Sequence, residues 1–181
     1  MLYADVTRFF SLRTLLMTHP KPGVKVSQQL HKVMITNAPI SEILKHKGNQ
    51  VWAVRPDMTV YDALVVMADK NVGALCVTEG DKLIGILSER DYTRKIVLHG
   101  RSSRNTRVRE IISNLIFSVT PDSSIDECLH LMTDKRVRHL PVLDHGKLAG
   151  LISIGDLVNY IITAQQSTIE QLQTYISGVP G

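Results

Sequence analysis

The chain has 181 residues, 44% of them hydrophobic, with 21 Lys and Arg against 17 Asp and Glu. That is enough apolar material for one domain or two small ones, and no apolar run approaches the roughly 18 residues that a bilayer span needs, so a membrane-spanning helix is not expected. The positive charge is uneven: residues 1–50 carry seven Lys/Arg against two acids, whereas 51–181 carry fourteen against fifteen.

In chain order, residues 1–39 read as an N-terminal extension. Its first part, MLYADVTRFFSLRTLLMTHPKPG, is apolar and Arg-bearing, has Asp5 as its one acid and breaks at PKPG. Two readings stay open: a helix that packs on the rest of the chain, preferred and compatible with a cytoplasmic protein, and a transit peptide that would direct the chain to the mitochondrial matrix. A short helix is expected over 40–47, ended by Gly48. A strand over 51–54 stops at Pro56. Thr59 and Asp62 then form a capping box for a helix through Lys70, with Val60, Leu64, Met67 and Ala68 on one face. Strands over 74–77 and 82–87 form a hairpin across Gly80-Asp81, and a helix over 88–98 ends at Gly100.

The same text is written again 65 residues later. Residues 51–97 lie on 116–162 without a gap, matching Val54, Pro56 and Asp57 with Val119, Pro121 and Asp122, and Leu64, Met67, Asp69, Lys70 and Val72 with Leu129, Met132, Asp134, Lys135 and Val137. Lys82, Leu83, Gly85, Ser88 and Asp91 match Lys147, Leu148, Gly150, Ser153 and Asp156. Ser124 and Glu127 repeat the capping box, and the second hairpin turns at His145-Gly146. RSSRNTR at 101–107 is a polar linker, a lead-in helix is expected over 108–114, and Ser167 with Glu170 is expected to cap a separate closing helix running toward Gly178. Two copies are too few for a solenoid and imply halves that cover each other's apolar faces.

Cys76 and Cys128 lie in apolar runs with no CxxC, so buried free thiols in a reducing compartment are expected. The seven His residues form no HxH or HExxH, and no nucleophile elbow or phosphate-binding glycine loop is present. Neither an enzyme site nor a metal site is expected.

These repeats resemble the tandem CBS domain proteins, named after cystathionine beta-synthase, whose paired repeats form a Bateman module. The resemblance covers residues 40–178. It rests on the duplicated VxPDxT/S opening, on NVGALCV and RVRHLPVLD, on the hairpins KLIGIL and KLAGLIS, and on GxxSxxD in GILSERDY and GLISIGDL; the tail TIEQLQTYI is similar to stand-alone bacterial or organellar members. It implies an α+β fold of two pseudo-symmetric β-α-β-β-α repeats packed through their sheets, with an N-terminal helical extension and a C-terminal helix. The expected boundaries are 1–39 for the extension, 40–100 for repeat 1, 101–107 for the linker, 108–164 for repeat 2 and 165–181 for the closing helix and tail. It also implies two clefts for adenosine ligands such as AMP, ADP, ATP, NAD or S-adenosylmethionine, and a flat dimer of two modules.

Ser88-x-x-Asp91 and Ser153-x-x-Asp156 have two readings. As capping boxes they need no ligand and contribute about 1 kcal/mol per cap. Alternatively each strand delivers the chain to a helix start whose amides hold a phosphate, with Ser88 or Ser153 adding a hydroxyl. The resemblance then implies that Asp91 and Asp156 accept both ribose hydroxyls. Adenine would lie around Val54 and Leu75 in the first cleft, and around Val119, Thr120, Leu140 and Pro141 in the second. Arg138 and His139, where repeat 1 has Gly73 and Ala74, would reach the phosphate of the Asp156 cleft beside Ser153 and Gly155. Arg90 and Arg94 flank the Asp91 cleft. The Asp156 cleft is thus expected to take a monophosphate such as AMP, and the Asp91 cleft a longer ligand, ATP or NAD, or none. RSSRNTR would either fold over the phosphates or serve only as a linker.

The preferred function is a non-catalytic regulatory module that binds adenine nucleotide, forms a homodimer and acts on a regulated protein partner, with no membrane and no catalytic cofactor. Two alternatives stand beside it: a structural dimeric adaptor with empty clefts, and nucleic-acid binding through the basic stretch 90–109, which lacks interleaved aromatics.

Overall fold

The architecture follows from two nearly identical sets of local signals. The computed structural model describes residues 37–48, 50–113 and 116–177, so the readings of the leader over 1–36 lie outside the described residues. α1 spans Ile40–Lys47, β1 Ala53–Val54 and α2 Val60–Lys70. Thr59 caps α2 by accepting from the Asp62 amide at 3.0 Å. β2 (Ala74–Glu79) and β3 (Lys82–Ser88) form the hairpin, and α3 (Glu89–Lys95) follows. In repeat 2, α4 (Ile125–Lys135) opens on a full capping box of Ser124 and Glu127, and β4 (His139–Asp144), β5 (Lys147–Ser153) and α5 (Ile154–Ser177) complete the set. His145 and Gly146 both have positive φ, 47° and 79°, as the favoured two-residue hairpin turn requires.

The repeat holds down to irregularities. β1 pairs in parallel with β2, and β2 antiparallel with β3, with a bulge at Val77/Thr78; β4 and β5 carry the same bulge at Val142/Leu143. The first strand of repeat 2 shrinks to a single parallel bridge between Val119 and Val142. β3 lies against β5, equivalent strands of the two repeats, as a pseudo-twofold requires.

The lead-in segments are exchanged between repeats. α1 precedes repeat 1, yet Ile40, Ile43 and Leu44 are buried in one core with Ile125, Cys128, Met132, Leu140, Val142, Ile152 and Leu157 of repeat 2. Val108 and Ile111, which precede repeat 2, complete the core of Val60, Met67, Leu75, Val77, Leu87 and Ile96 in repeat 1. The backbone repeats the exchange: Ile40 N donates to Ser123 O and Ser41 N to Pro121 O, whereas Val108 N donates to Met58 O and Arg109 N to Pro56 O, each at 2.9 Å. Ala38 O and Thr106 O receive the first amides of α4 and α2, Ile125 N and Val60 N. Each lead-in therefore satisfies orphan groups at the start of the other repeat's helix.

This exchange accounts for the glycines of GxxSxxD. A Cβ on Gly85 would stand 2.8 Å from Ile112 Cδ1, and one on Gly150 2.7 Å from Leu44 Cδ2, closer than carbon atoms pack. Both are small because a lead-in side chain lies on them.

Four expected elements differ. α5 runs unbroken to Ser177; Ser167 does not cap a new helix, and its hydroxyl donates to Thr163 O at 3.1 Å within the same helix. Among the described residues of the lead-in expected over 108–114, only a 3-10 turn forms, Val108–Glu110. α3 stops at Lys95, and a second 3-10 turn, Val97–His99, leads to Gly100 at φ 61°. Thr59 and Asp62 form half of a capping box rather than a full one.

Candidate functional site: two clefts between the repeats

The Ser and Asp of each GxxSxxD are first of all caps. Asp91 Oδ2 accepts from Ser88 N and Oγ at 3.2 and 2.6 Å, and Asp91 N donates to Ser88 Oγ at 3.2 Å. Asp156 repeats this with Ser153 at 2.7, 2.8 and 3.2 Å. The next amides are also taken, Glu89 N by Gly73 O and Ile154 N by Arg138 O. The expectation of free amides cradling a phosphate at these turns is corrected: three of the amides at each turn are engaged by the protein itself.

Both acids nonetheless face cavities. One, of about 330 Å³, lies between the β3–α3 turn of repeat 1 and the entry strand and α4 end of repeat 2; Ser88, Arg90, Asp91, Arg94, Lys95, Arg136, Arg138 and His139 line it, with Ile86, Ile116, Phe117 and Val137 as its apolar wall. The other, of about 370 Å³, places Ser153 and Asp156 of repeat 2 opposite Val51, Trp52, Val72 and Ala74 of repeat 1, with Lys47, Asn71, Leu151 and His139. Each cleft thus takes its acid from one repeat and its aromatic wall from the other. Trp52 and Phe117 occupy the same position of the two repeats, and each ring carries an ammonium, Lys70 at 4.4 Å and Lys135 at 5.4 Å from the centroid.

Several anticipated site residues stand elsewhere. Val54, Leu75, Val119, Leu140 and Pro141 are buried within the repeats rather than in the wall of either cavity, and Thr120 is exposed. Gly155 is exposed on the first turn of α5, outside the Asp156 cavity wall. Arg138 lines the Asp91 cavity and not the Asp156 cavity for which it was expected, because the turn from α4 into β4 lies against the β3–α3 turn of repeat 1, where Arg90 donates to Arg136 O; His139, one residue on, borders both. RSSRNTR does not cover a cleft. Its Arg104 stacks 3.7 Å above Tyr61 on α2, Arg101 pairs with Glu110, and Arg107 donates to Asp57 O, which leaves it a structured linker.

The charges differ between clefts. The Asp91 cavity gathers Arg90, Arg94, Lys95, Arg136 and Arg138 against Glu89 and Asp91, with Lys95 Nζ 3.0 Å from Asp91 Oδ1. In the other, Lys47 Nζ lies 2.6 Å from Asp156 Oδ2. Burial raises the Asp156 carboxyl, but the Lys47 ammonium and the Ser153 amide and hydroxyl outweigh it and hold the group below its ordinary value. His139 is pushed below 6.5, chiefly by burial and then by the Lys47 charge, partly offset by Asp156. Sequence reasoning missed Lys47, Trp52, Phe117 and Arg136. Trp52 and Phe117 were legible as aromatics at matched repeat positions; Lys47 carried no signal, since its partner is 109 residues away.

Comparison with known proteins agrees with the fold. Residues 36–98 and 108–163 match the CBS domain family. The chain is 40% identical over 149 residues to the mitochondrial CBS domain-containing protein CBSX3 of Arabidopsis thaliana, covering 77% of this chain and 72% of that one. It is 35% identical over 118 residues to the CBS domain-containing protein YhcV of Bacillus subtilis, covering 65% and 84%. Among solved structures, a protein with CBS domains from Burkholderia ambifaria is 51% identical with a TM-score of 0.68, over 70% of this chain and 95% of that one. With two repeats of one plan, exchanged lead-ins and matching relatives along both copies, this chain belongs to the CBS domain family.

Proposed function

We propose that the chain is a non-catalytic regulatory module whose two clefts bind adenine nucleotides and thereby alter its conformation or its affinity for a regulated protein partner. The observation that carries this is the matched pair of cavities, each joining a part-buried aspartate, an aromatic wall and cations. Ribose hydroxyls find an acceptor in Asp91 or Asp156, each charge-assisted bond contributing about 1.5–3 kcal/mol. Adenine finds an aromatic face in Phe117 or Trp52, where stacking contributes about 1–3 kcal/mol per base. The cation count sets ligand length: the Asp91 cleft suits ATP, ADP or NAD, and the Asp156 cleft, with Lys47 and a neutral His139, suits AMP.

Calorimetry with AMP, ADP, ATP, NAD and S-adenosylmethionine on wild type, Asp91→Ala and Asp156→Ala tests this. Each substitution should abolish one class of site, with Ser88→Ala and Ser153→Ala reporting the cost of the cap alone. Trp52 is the single tryptophan of the chain, so its fluorescence reads the Asp156 cleft separately. Binding that survives both Asp substitutions overturns the assignment; no binding at millimolar ligand favours the structural adaptor instead.

A homodimer is part of the proposal. Val158, Ile162, Ile169 and Leu172 are exposed on α5 and, with Gln165, follow the alternating four-and-three spacing of a two-stranded seam. The flanking positions, Gln166, Thr168, Gln173 and Tyr175, carry no charge, so a second copy in register meets no like-charge repulsion. Among the described residues no helix is long and apolar enough to cross a membrane. We retain a cytoplasmic location, with the mitochondrial matrix as the alternative that the mitochondrial relative favours.

A further inference from the structure

Lys47 stands at the C-terminal end of α1, in the lead-in that crosses to repeat 2, and its ammonium enters the Asp156 cleft from outside both hairpins. There it donates to Asp156 Oδ2 at 2.6 Å and to Leu151 O at 3.1 Å. The same Oδ2 already receives Ser153 N and Oγ, while Oδ1 accepts no hydrogen bond among the described residues. The pairing is not the local one found in the other cleft, where Lys95 lies one turn from Asp91 on the same helix. The corresponding lead-in of repeat 2 brings no ammonium to the Asp91 cavity: Ile112 is the residue that packs on Gly85 there, as Leu44 packs on Gly150 here.

We propose that Lys47 is the specificity-determining residue of the Asp156 cleft, a cation lent by the exchanged helix that makes this cleft select nucleoside phosphates over neutral nucleosides. The proposal rests on the nucleotide-binding reading above. With Lys47 and both Ser153 donors on Oδ2, a ribose reaches Oδ1 freely but gains Oδ2 only by taking the place of Lys47, the one donor there that is not part of the cap. A neutral nucleoside offers the displaced ammonium nothing but solvent. A phosphate offers it a new counter-ion within the same cavity, so the anionic ligand recovers what the neutral one loses. Because Lys47 ends α1, whose Ile40, Ile43 and Leu44 are built into the repeat 2 core, its change of partner is also felt by the helix that the lead-in of repeat 1 lends to repeat 2.

The test compares AMP with adenosine on wild type, Lys47→Met and Lys47→Arg, read by Trp52 fluorescence and calorimetry, with melting temperature as a check on folding. The Lys47 side chain is part-exposed and is not one of the buried core residues, so the variants should fold. In wild type AMP should bind at least about tenfold tighter than adenosine. Lys47→Met should bring the two within about threefold of each other, by weakening AMP, strengthening adenosine or both, and Lys47→Arg should restore most of the preference. An unchanged AMP-to-adenosine ratio in Lys47→Met overturns the role of Lys47 while leaving the nucleotide site intact. Absence of both ligands from the Asp156 cleft in wild type and both variants overturns the nucleotide reading of this cleft and this inference together.

Discussion

Leu44 and Gly150 meet across the join between the two repeats, with no room for a methyl group between them. Gly85 and Ile112 make the same contact on the other side, but there Ile112 Cβ is itself only 3.1 Å from the added carbon, whereas Gly150 faces the tips of Leu44. A branch tip rotates away more easily than a Cβ. Gly85→Ala should therefore destabilise by about 1–3 kcal/mol and Gly150→Ala by less. Leu44→Ala combined with Gly150→Ala should destabilise by less than the sum of the two, and urea denaturation of the double-mutant cycle measures that coupling.

His139 and Asp156 shift in the same sense and in different pH ranges. The folded state holds His139 neutral below 6.5, so as pH falls from there the unfolded chain takes the proton first and stability is lost. Asp156, held below 3.8, contributes stability that is present above that value and lost as pH falls further. Melting temperature against pH should decline below about pH 6.5 in wild type, less steeply in His139→Gln. Asp156→Asn should flatten the loss in the more acidic range and, by removing the charge that partly supports protonated His139, make the decline below about pH 6.5 steeper rather than shallower.

The two thiols are silent in the folded chain. Burial pushes Cys76 up to about 12, and burial with the Glu127 charge pushes Cys128 up to about 11. Since the thiolate is the nucleophile, neither should react with a disulfide reagent at pH 8 under native conditions, and both should react once denaturant unfolds the chain. Rapid labelling of either in the folded protein would contradict their burial.

The apolar seam of α5 makes a prediction about assembly. Ile169 and Leu172 are 48% and 56% exposed although they belong to an otherwise regular amphipathic helix. Ile169→Glu or Leu172→Glu should move the chain from dimer toward monomer in sedimentation velocity, with the melting of the repeats little changed. A wild-type chain that sediments as a monomer at high micromolar concentration removes the seam as an interface.

Features set by neighbouring residues were legible in the sequence. Ser124 with Glu127, the two hairpin turns and the left-handed end of the helix run at Gly100 all depend on groups a few residues apart, whose hydrogen bonds close wherever the chain goes. Repetition at a constant spacing then exposed the family plan. It also marked Ser88, Asp91, Ser153 and Asp156 as paired, though not whether their hydrogen-bonding capacity was already spent on caps.

Partnership between the copies was decided only by the tertiary structure. A shift of 65 residues says that two units are alike, but it does not say which unit receives α1, which cleft Arg138 enters, or that Lys47 ends beside Asp156. Those outcomes follow from where each lead-in can both bury its aliphatic residues and give its amides acceptors, a condition met on the opposite repeat. Local hydrogen bonds choose the elements; the joint demand for apolar cover and satisfied backbone at the seam chooses which residues share a cleft.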